Sequence, residues 1–379
     1  MGYIFWLSAI IVFYTYFGYP ILLMVIQPPK RVNINGSKNW DIKFDFLVLV
    51  YNEEKVIKKK IENSLLILKN FKNAKLRVVS DGSTDMTNNI CNSFTSNSQF
   101  VFSPLPRSGK SQAINKIMNL LEGEIIIFSD ANVEYCEDTL INLLEPYKNS
   151  KIGFTCGQVI YKNLGEIISG KGESFYWRYE NFLKKQESKI GYIAGATGAV
   201  YSIRKNLFLP LKFNCINDDF TISMNVIKQG FKSEYIEDAI VYESVAPTVE
   251  AEFNRHIRDA TGHYLSLLHL KSLLNPFLGM PSFVFWSHRV FRWIVPFLLI
   301  ILFILNTQML SHQLYQLLFY LQILFYSLAL FALLSTKMGK LPFFIFIPFY
   351  FCNLNTALFI GAIKSLYTKQ NGMWESTKR

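Results

Sequence analysis

Acidic residues are few in this 379-residue chain: 28 Asp and Glu stand against 39 Lys and Arg, for a net charge of +11. Charged residues of both signs reach only 18%, while half the chain is hydrophobic and 33 phenylalanines lift the aromatic share to 16%. That balance argues against an ordinary soluble domain and for a partly membrane-embedded chain. Cysteine is also scarce. Cys91, Cys136, Cys156, Cys215 and Cys352 are odd in number and form no CxxC pair, which argues against a disulfide framework or a zinc site and fits a reducing compartment. The basic residues are scattered and no nucleic-acid motif accompanies them. Contact with an anionic membrane surface and a phosphorylated substrate is the better reading of the charge. No basic start and small-residue cleavage site frame the first apolar run, so it does not read as a signal peptide. From about residue 41 to 260 no run is long and apolar enough to cross a bilayer.

Long apolar runs do occur at both ends. Residues 3–26 carry no charge and are long enough to span, and Lys30 and Arg31 beyond them place the N-terminus outside by the positive-inside rule. Residues 291–305, 314–334 and 341–363 are further candidates, giving about four spans. Residues 263–285 mix apolar residues with His269, Lys271 and Pro276 and read as amphipathic pieces in the membrane interface, with His288, Arg289 and Arg292 marking the cytoplasmic start of the next span. At the end of the chain the charges conflict. Lys337 and Lys340 favour a cytoplasmic loop before the last run, and Lys364, Lys369, Lys378 and Arg379 favour a cytoplasmic tail after it. Both cannot hold if that run crosses once. The expected organisation is a transmembrane helix over 1–28, a cytoplasmic domain over 40–262, interfacial helices over 263–290, transmembrane helices over 291–365 and a polar tail over 366–379.

The central part alternates strand and helix patterns. Strands are expected at 43–50, 76–80, 99–102 and 124–128, with helices at 53–68 and 111–121 between them. Such alternation implies a mainly parallel α/β sheet covered on both faces, with ligands bound beyond the carboxyl ends of the strands. The polar clusters sit at those ends: Tyr51-Asn52-Glu53, Asp81 to Asp85, and Asp130 to Asn132. That placement points to a nucleotide site. Gly109-Lys110-Ser111 looks like the end of a P-loop, but Pro104 stands where that motif needs glycine.

Six pieces in order, Tyr51-Asn52-Glu53-Glu54, Asp81-Gly82-Ser83-Thr84-Asp85, Arg107-Ser108-Gly109-Lys110, Ser129-Asp130-Ala131-Asn132, Gly195-Ala196-Thr197-Gly198-Ala199 and Asn217-Asp218-Asp219, resemble family 2 glycosyltransferases of the membrane synthase type, related to cellulose, chitin, hyaluronan and poly-N-acetylglucosamine synthases. The resemblance covers about residues 44–264. It implies a GT-A, Rossmann-like nucleotide-sugar-binding domain, an inverting reaction and a nucleotide-sugar donor.

By that resemblance Asn52 and Glu53 contact the donor nucleoside, and Asp81 accepts from the base edge; helix capping is the plainer role for Asp81 and for Asp85. Arg107 and Lys110 suit a diphosphate, which needs concentrated positive charge. Asp130 and Asn132 occupy a metal motif that more often reads Asp-x-Asp. A hard Mg2+ or Mn2+ wants oxygen ligands and bridges to substrate phosphates. Asn132 can offer a carbonyl there, without charge.

Asp219 is the expected general base, with Asp218 supporting it or the start of a helix over 220–229. The small run from Gly195 to Ala199 is expected to let acceptor and donor sugars approach the backbone, with Gly195, Ala196 and Thr197 on the acceptor, or simply to form a tight turn. The aromatic run 176–180 would line an acceptor channel or pack against the interface. Processive synthases carry Gln-x-x-Arg-Trp after the base. Here Glu252-Phe253-Asn254-Arg255-His256 is followed by Arg258, so Arg255 and Arg258 keep cations for the diphosphate while His256 replaces the acceptor-stacking Trp.

The expected function is transfer of a sugar, from a donor that is UDP-linked, to a polysaccharide or lipid-linked acceptor. The enzyme would be a hexosyltransferase in the inner membrane, with its catalytic domain cytoplasmic. Its partners would be the donor, the acceptor, membrane lipids and export-complex proteins, and no nucleic acid. The rival is a weakly catalytic or non-catalytic membrane subunit of a polysaccharide synthesis or export complex, favoured by Asn132 and His256. A coupled transporter is disfavoured, because the apolar runs carry no acidic residue.

Overall fold

A computed structural model of the chain describes residues 1–26, 42–162, 168–244, 248–335 and 342–367. An uncharged helix α1 (Gly2–Val25) leads, followed in the central domain by β1 (Phe44–Val50), α2 (Ile57–Leu68), β2 (Ala74–Asp81), α3 (Thr87–Asn92), β3 (Phe100–Leu105), α4 (Lys110–Met118) and β4 (Ile125–Ser129). β1 is buried at every position. Its alternation sends Phe44, Phe46, Val48 and Val50 into one core and Leu47 and Leu49 into the other, as expected for a strand covered on both faces.

The remaining domain elements are β5 (Glu134–Tyr135), α5 (Thr139–Leu144), β6 (Ile152–Lys162), α6 (Ile168–Ile190), β7 (Tyr201–Arg204), α7 (Asp218–Lys228) and β8 (Lys232–Ser244). The sheet has eight strands in the order β3-β2-β1-β4-β7-β6-β8-β5. The first four are parallel, as the alternation predicted. β7 is not: it runs antiparallel to both β4 and β6, so the sheet is mixed. This reversal builds the site. Pairing Phe128 with Tyr201 sets the start of β7 beside the end of β4. The glycine-containing segment before β7 is thereby carried to Asp130.

Helix α8 (Val249–His269) follows, capped by Thr248, whose side chain accepts from the Ala251 N–H at 3.1 Å. The expected interfacial stretch 263–290 divides. Its first residues complete α8, short turns follow, and its last residues belong to α9 (Met280–Gln308), continuous with the next apolar segment. α10 (Gln313–Ser335) and α11 (Phe343–Tyr367) complete the described chain, and with α1 and α9 they make four helices long and apolar enough to cross a membrane. Lys30, Arg31, Lys337, Lys340, Lys369, Lys378 and Arg379, together with most of the tail 366–379, lie outside the described residues.

α11 does not leave the central domain directly. Tyr350 donates to Glu252 at 3.2 Å, and a Cβ on Gly361 would stand 2.5 Å from that of Ala260. α11 therefore runs parallel to α8 over the stretch from Tyr350 to Gly361.

Candidate active site

The loops after β1 and β2 are tied to each other. Asn52 adopts a left-handed backbone, φ 53°, and its Oδ1 accepts from the Thr84 N–H at 2.8 Å. The Asn52 N–H donates to Ser83 Oγ at 3.1 Å and that of Glu53 to Thr87 Oγ1 at 2.9 Å. Asp85 accepts from the N–H groups of Glu54 at 3.1 Å and Thr87 at 3.0 Å, which makes it an organiser of this turn.

Asp81 organises the next one. Its carboxylate is fully buried and accepts from Arg107 Nη1 at 2.6 Å, the Gly109 N–H at 2.9 Å, and the Ser108 N–H and Oγ at 2.7 and 3.2 Å. These four bonds occupy both oxygens. A contact from Asp81 to a base edge would require one of them to open. The Arg107 guanidinium, held this way, stacks 3.4 Å above the centre of the Tyr51 ring.

Lys110 stands at the start of α4, where its ammonium lies 3.3 Å from Asp130 Oδ1 and 3.3 Å from Asp218 Oδ2. Burial alone would depress its pKa, but Asp130, Asp218 and Asp219 raise it well above the ordinary lysine range. The two adjacent aspartates form the first turn of α7, two residues earlier than the sequence suggested. Their charges face the positive end of the helix dipole. Asn217 precedes them; its amide donates to the Asp259 carbonyl at 2.8 Å and lies 3.1 Å from His263 Nδ1, so α8 clamps the start of α7.

Asp219 accepts from the Phe220 N–H at 2.8 Å. Burial and the neighbouring Asp218 push its pKa up to about 7, against the pull of Lys110. Asp218 is raised as well, chiefly by burial. Phe220 meets His263 edge-on at 5.0 Å and Trp293 at 5.9 Å, so α9 reaches the helix that carries both carboxylates.

The sequence singled out the run from Gly195 to Ala199, with Gly195, Ala196 and Thr197 on the acceptor, and within it the residue that faces the carboxylates is Gly198. A Cβ there would stand 3.3 Å from Asp219 Oδ2 and 3.4 Å from Asp130 Oδ2. Gly195 has φ +108° and admits the Phe220 ring where a Cβ would sit 2.7 Å from it. The Ala196 N–H donates to Ser223 Oγ at 2.9 Å, and Thr197 Oγ1 accepts from Lys184.

Other expected residues are engaged elsewhere. Asn132 turns its amide nitrogen to Glu243 Oε1 at 2.8 Å. His256 lies 3.4 Å from Glu252 and meets Tyr176 edge-on at 6.2 Å. Arg258 is 51% exposed and pairs with Asp259 at 3.4 Å; Arg255 is half-buried on the same helix. In the aromatic run, the Tyr179 hydroxyl donates to the Tyr16 carbonyl of α1 at 3.1 Å. Lys60 and Glu243 escaped the sequence reading. Only Lys60 left a trace in the pattern, as a charge on the apolar stripe of α2.

One carboxylate, Asp130, and one amide carbonyl, Asn132, are present for a cation. Among the described residues no three His, Cys, Asp or Glu side chains cluster as a metal cage. This donor set fits a hard cation that takes most of its ligands from phosphate and water.

The sequence profile of glycosyl transferase family 2 matches residues 45–208. Poly-beta-1,6-N-acetyl-D-glucosamine synthase of Staphylococcus aureus (strain COL) is 21% identical over 250 residues, 63% of this chain and 60% of that protein. The enzyme of the same name from Staphylococcus epidermidis is 22% identical over 248 residues, 64% and 60% of the two chains. The chain thus spans about 60% of the length of these relatives. Among solved structures, a mannosyltransferase of Pyrobaculum calidifontis in complex with GDP-Man and Mn2+ superposes with a TM-score of 0.68 at 19% identity, covering 96% of this chain and all of that one. The profile match shows a glycosyl transferase family 2 domain over residues 45–208, and the superposition together with the strand order shows a GT-A-like mixed sheet.

Proposed function

We propose that the protein is a membrane-bound inverting glycosyltransferase that takes its sugar from a nucleotide sugar, UDP-linked, and passes it to a polysaccharide or lipid-linked acceptor. The observation that carries this is the convergence of Asp130 and Asp219 on Gly198, with Lys110 bridging Asp130 and Asp218. An acceptor hydroxyl above Gly198 would lie within reach of a carboxylate whose pKa, about 7, suits proton removal at neutral pH. Arg107 and Lys110 would supply positive charge for the departing diphosphate. A bound Mg2+ or Mn2+ would neutralise charge on that leaving group, held by Asp130 with the Asn132 carbonyl. Asn52 and Glu53 stand at the mouth of the same loops, on the nucleoside side, and Gly195 to Thr197 shape the acceptor side. The retained carboxylates favour this reading over a non-catalytic subunit.

The test is nucleoside diphosphate release by detergent-purified protein across a panel of nucleotide sugars. Release from one donor, abolished by EDTA and by Asp130→Ala, is the expected result. Failure of every donor, together with failure to bind UDP, would overturn the reading.

We infer that the catalytic domain faces the cytoplasm and that the chain crosses the membrane three times, where the sequence suggested about four spans. α11 is assigned to the membrane surface, supported by its run beside α8, a helix that carries Arg255, Arg258 and Asp259. Three crossings put Lys30, Arg31, Lys337, Lys340 and the basic tail on one side, which removes the conflict among the charges. Green fluorescent protein fused after Arg379 should fluoresce, and alkaline phosphatase fused there should stay inactive. An active phosphatase would show that α11 crosses.

A further inference from the structure

Lys60 is a buried cation that the proposed chemistry does not use. It is 3% exposed on the face of α2 that also buries Ile57, Ile61 and Ser64. Its ammonium donates to Ser129 Oγ and to the Val133 carbonyl, both at 2.8 Å. It lies 4.3 Å from the centre of the Tyr135 ring and 5.2 Å from that of Phe46. Among the described residues no carboxylate is within ion-pair distance of it. Burial pulls its pKa down to about 7, against the attraction of Asp130, so the surroundings solvate the charge poorly. A buried ammonium without a counterion is costly, and an apolar side chain of similar length would fill the space more cheaply.

The contacts say what the charge holds. Ser129 and Val133 bracket Asp130, Ala131 and Asn132, so both ends of that turn hang on one ammonium. One helical turn later Asn63 grips the next residues: its amide donates to the Tyr135 carbonyl at 3.0 Å, and its Oδ1 accepts from the Tyr135 N–H at 2.9 Å. The Tyr135 hydroxyl then donates to the carbonyls of Ala199, at 3.1 Å, and Phe128, at 3.3 Å. Ala199 adjoins Gly198. A continuous chain of contacts thus runs from Lys60, beneath the Asp130 turn, to the segment that faces Asp219.

We propose that Lys60 is a positioning residue for the cation and diphosphate half of the site: it fixes the Ser129–Val133 turn and, through Tyr135, its distance from Gly198. This rests on the reading of Asp130 as the residue that meets the cation and the donor. Electrostatics and positioning predict opposite signs. A positive charge beneath Asp130 opposes cation binding, so if charge alone mattered, its removal would tighten the site. If position matters, removal weakens binding, because groups that orient metal ligands are typically worth about 10–100-fold in affinity.

The experiment measures Mn2+ binding to the full-length protein in detergent, with UDP present, by loss of the free-ion electron paramagnetic resonance signal. Thermal melts are run alongside. In Lys60→Met the expected result is Mn2+ binding weakened by at least about tenfold, with a melting temperature no lower than that of the wild type. Lys60→Arg, which keeps donors, should recover part of the affinity. Unchanged or tighter Mn2+ binding in folded Lys60→Met would overturn the proposal. If Lys60→Met does not fold, Tyr135→Phe replaces it: weakened binding supports the proposal and wild-type binding overturns it. Absence of Mn2+–UDP binding in the wild type would instead sink the donor reading, and this inference with it.

Discussion

Replacing Asp219 by asparagine should lower sugar-transfer turnover by roughly 100- to 10,000-fold, the usual loss when a positioned general base is removed. Donor binding should survive, because Arg107, Lys110 and Asp130 stay in place. The pH dependence follows from the same carboxyl. Burial and Asp218 raise its pKa to about 7, so kcat/KM should climb through an acidic limb centred near pH 7 in the wild type. Stability moves the other way. The folded state holds the Asp219 proton more tightly than the unfolded chain, so the stability this proton gives is present at low pH and is lost as pH rises through about 7. Asp219→Asn should therefore melt at a higher temperature than the wild type at pH 8, and the gap should narrow toward pH 5. Full activity in this variant would transfer the base role to another group. Absence of a limb near neutral pH would reject the electrostatic account.

Glu180→Ala should cost roughly 3–5 kcal/mol of stability, because it leaves buried cations without a counterion. Glu180 lies on α6 and is 3% exposed. It accepts from Arg292, and its carboxylate lies 3.3 Å from His288 Nε2 and 3.6 Å from Arg289. Burial would raise its pKa, but Arg292, His288 and Arg289 hold it well below the ordinary glutamate range. Its contribution is present above that range and lost as pH falls through its depressed folded value. Its neighbour Glu187 extends the network, accepting from the Tyr19 hydroxyl of α1 at 2.7 Å and lying 2.6 Å from His288 Nδ1.

The same network holds the segment that leads to Gly195. The Ala194 N–H donates to Glu187 at 3.0 Å, and Arg289 Nε donates to the Ala194 carbonyl at 2.6 Å, one residue before Gly195. Glu180→Ala should thus lower both the denaturant midpoint and the activity. Tyr19→Phe, which deletes one hydrogen bond, should cost only about 1 kcal/mol. A midpoint for Glu180→Ala within error of the wild type would mean that this network does not hold the helices to the domain.

Much of the protein was legible in the chain itself. Period-two and period-3.6 patterns marked β1, α2, β2 and β4 to within a few residues at most boundaries, because local burial imposes them. The motifs fell at strand ends, so their grouping beyond the sheet could be read from order and spacing. Other features had no local signal. His288, Arg289 and Arg292 read as the polar edge of a membrane span, yet they are buried against Glu180 and Glu187, more than 100 residues earlier in the chain. Asp81 was read as a ligand contact, and its oxygens are taken by a turn more than 25 residues away.

The sequence by itself determined the elements, the apolar helices and the residue types that make up the site, since each depends on patterns within one segment. The tertiary structure decided which of those residues meet. The antiparallel return of β7 chose Gly198, rather than Gly195 or Thr197, as the floor between Asp130 and Asp219. The close packing of α8 on α7 and of α9 on Phe220 set the surroundings of Asp219, and burial there, a property of the assembled layers, raised its pKa.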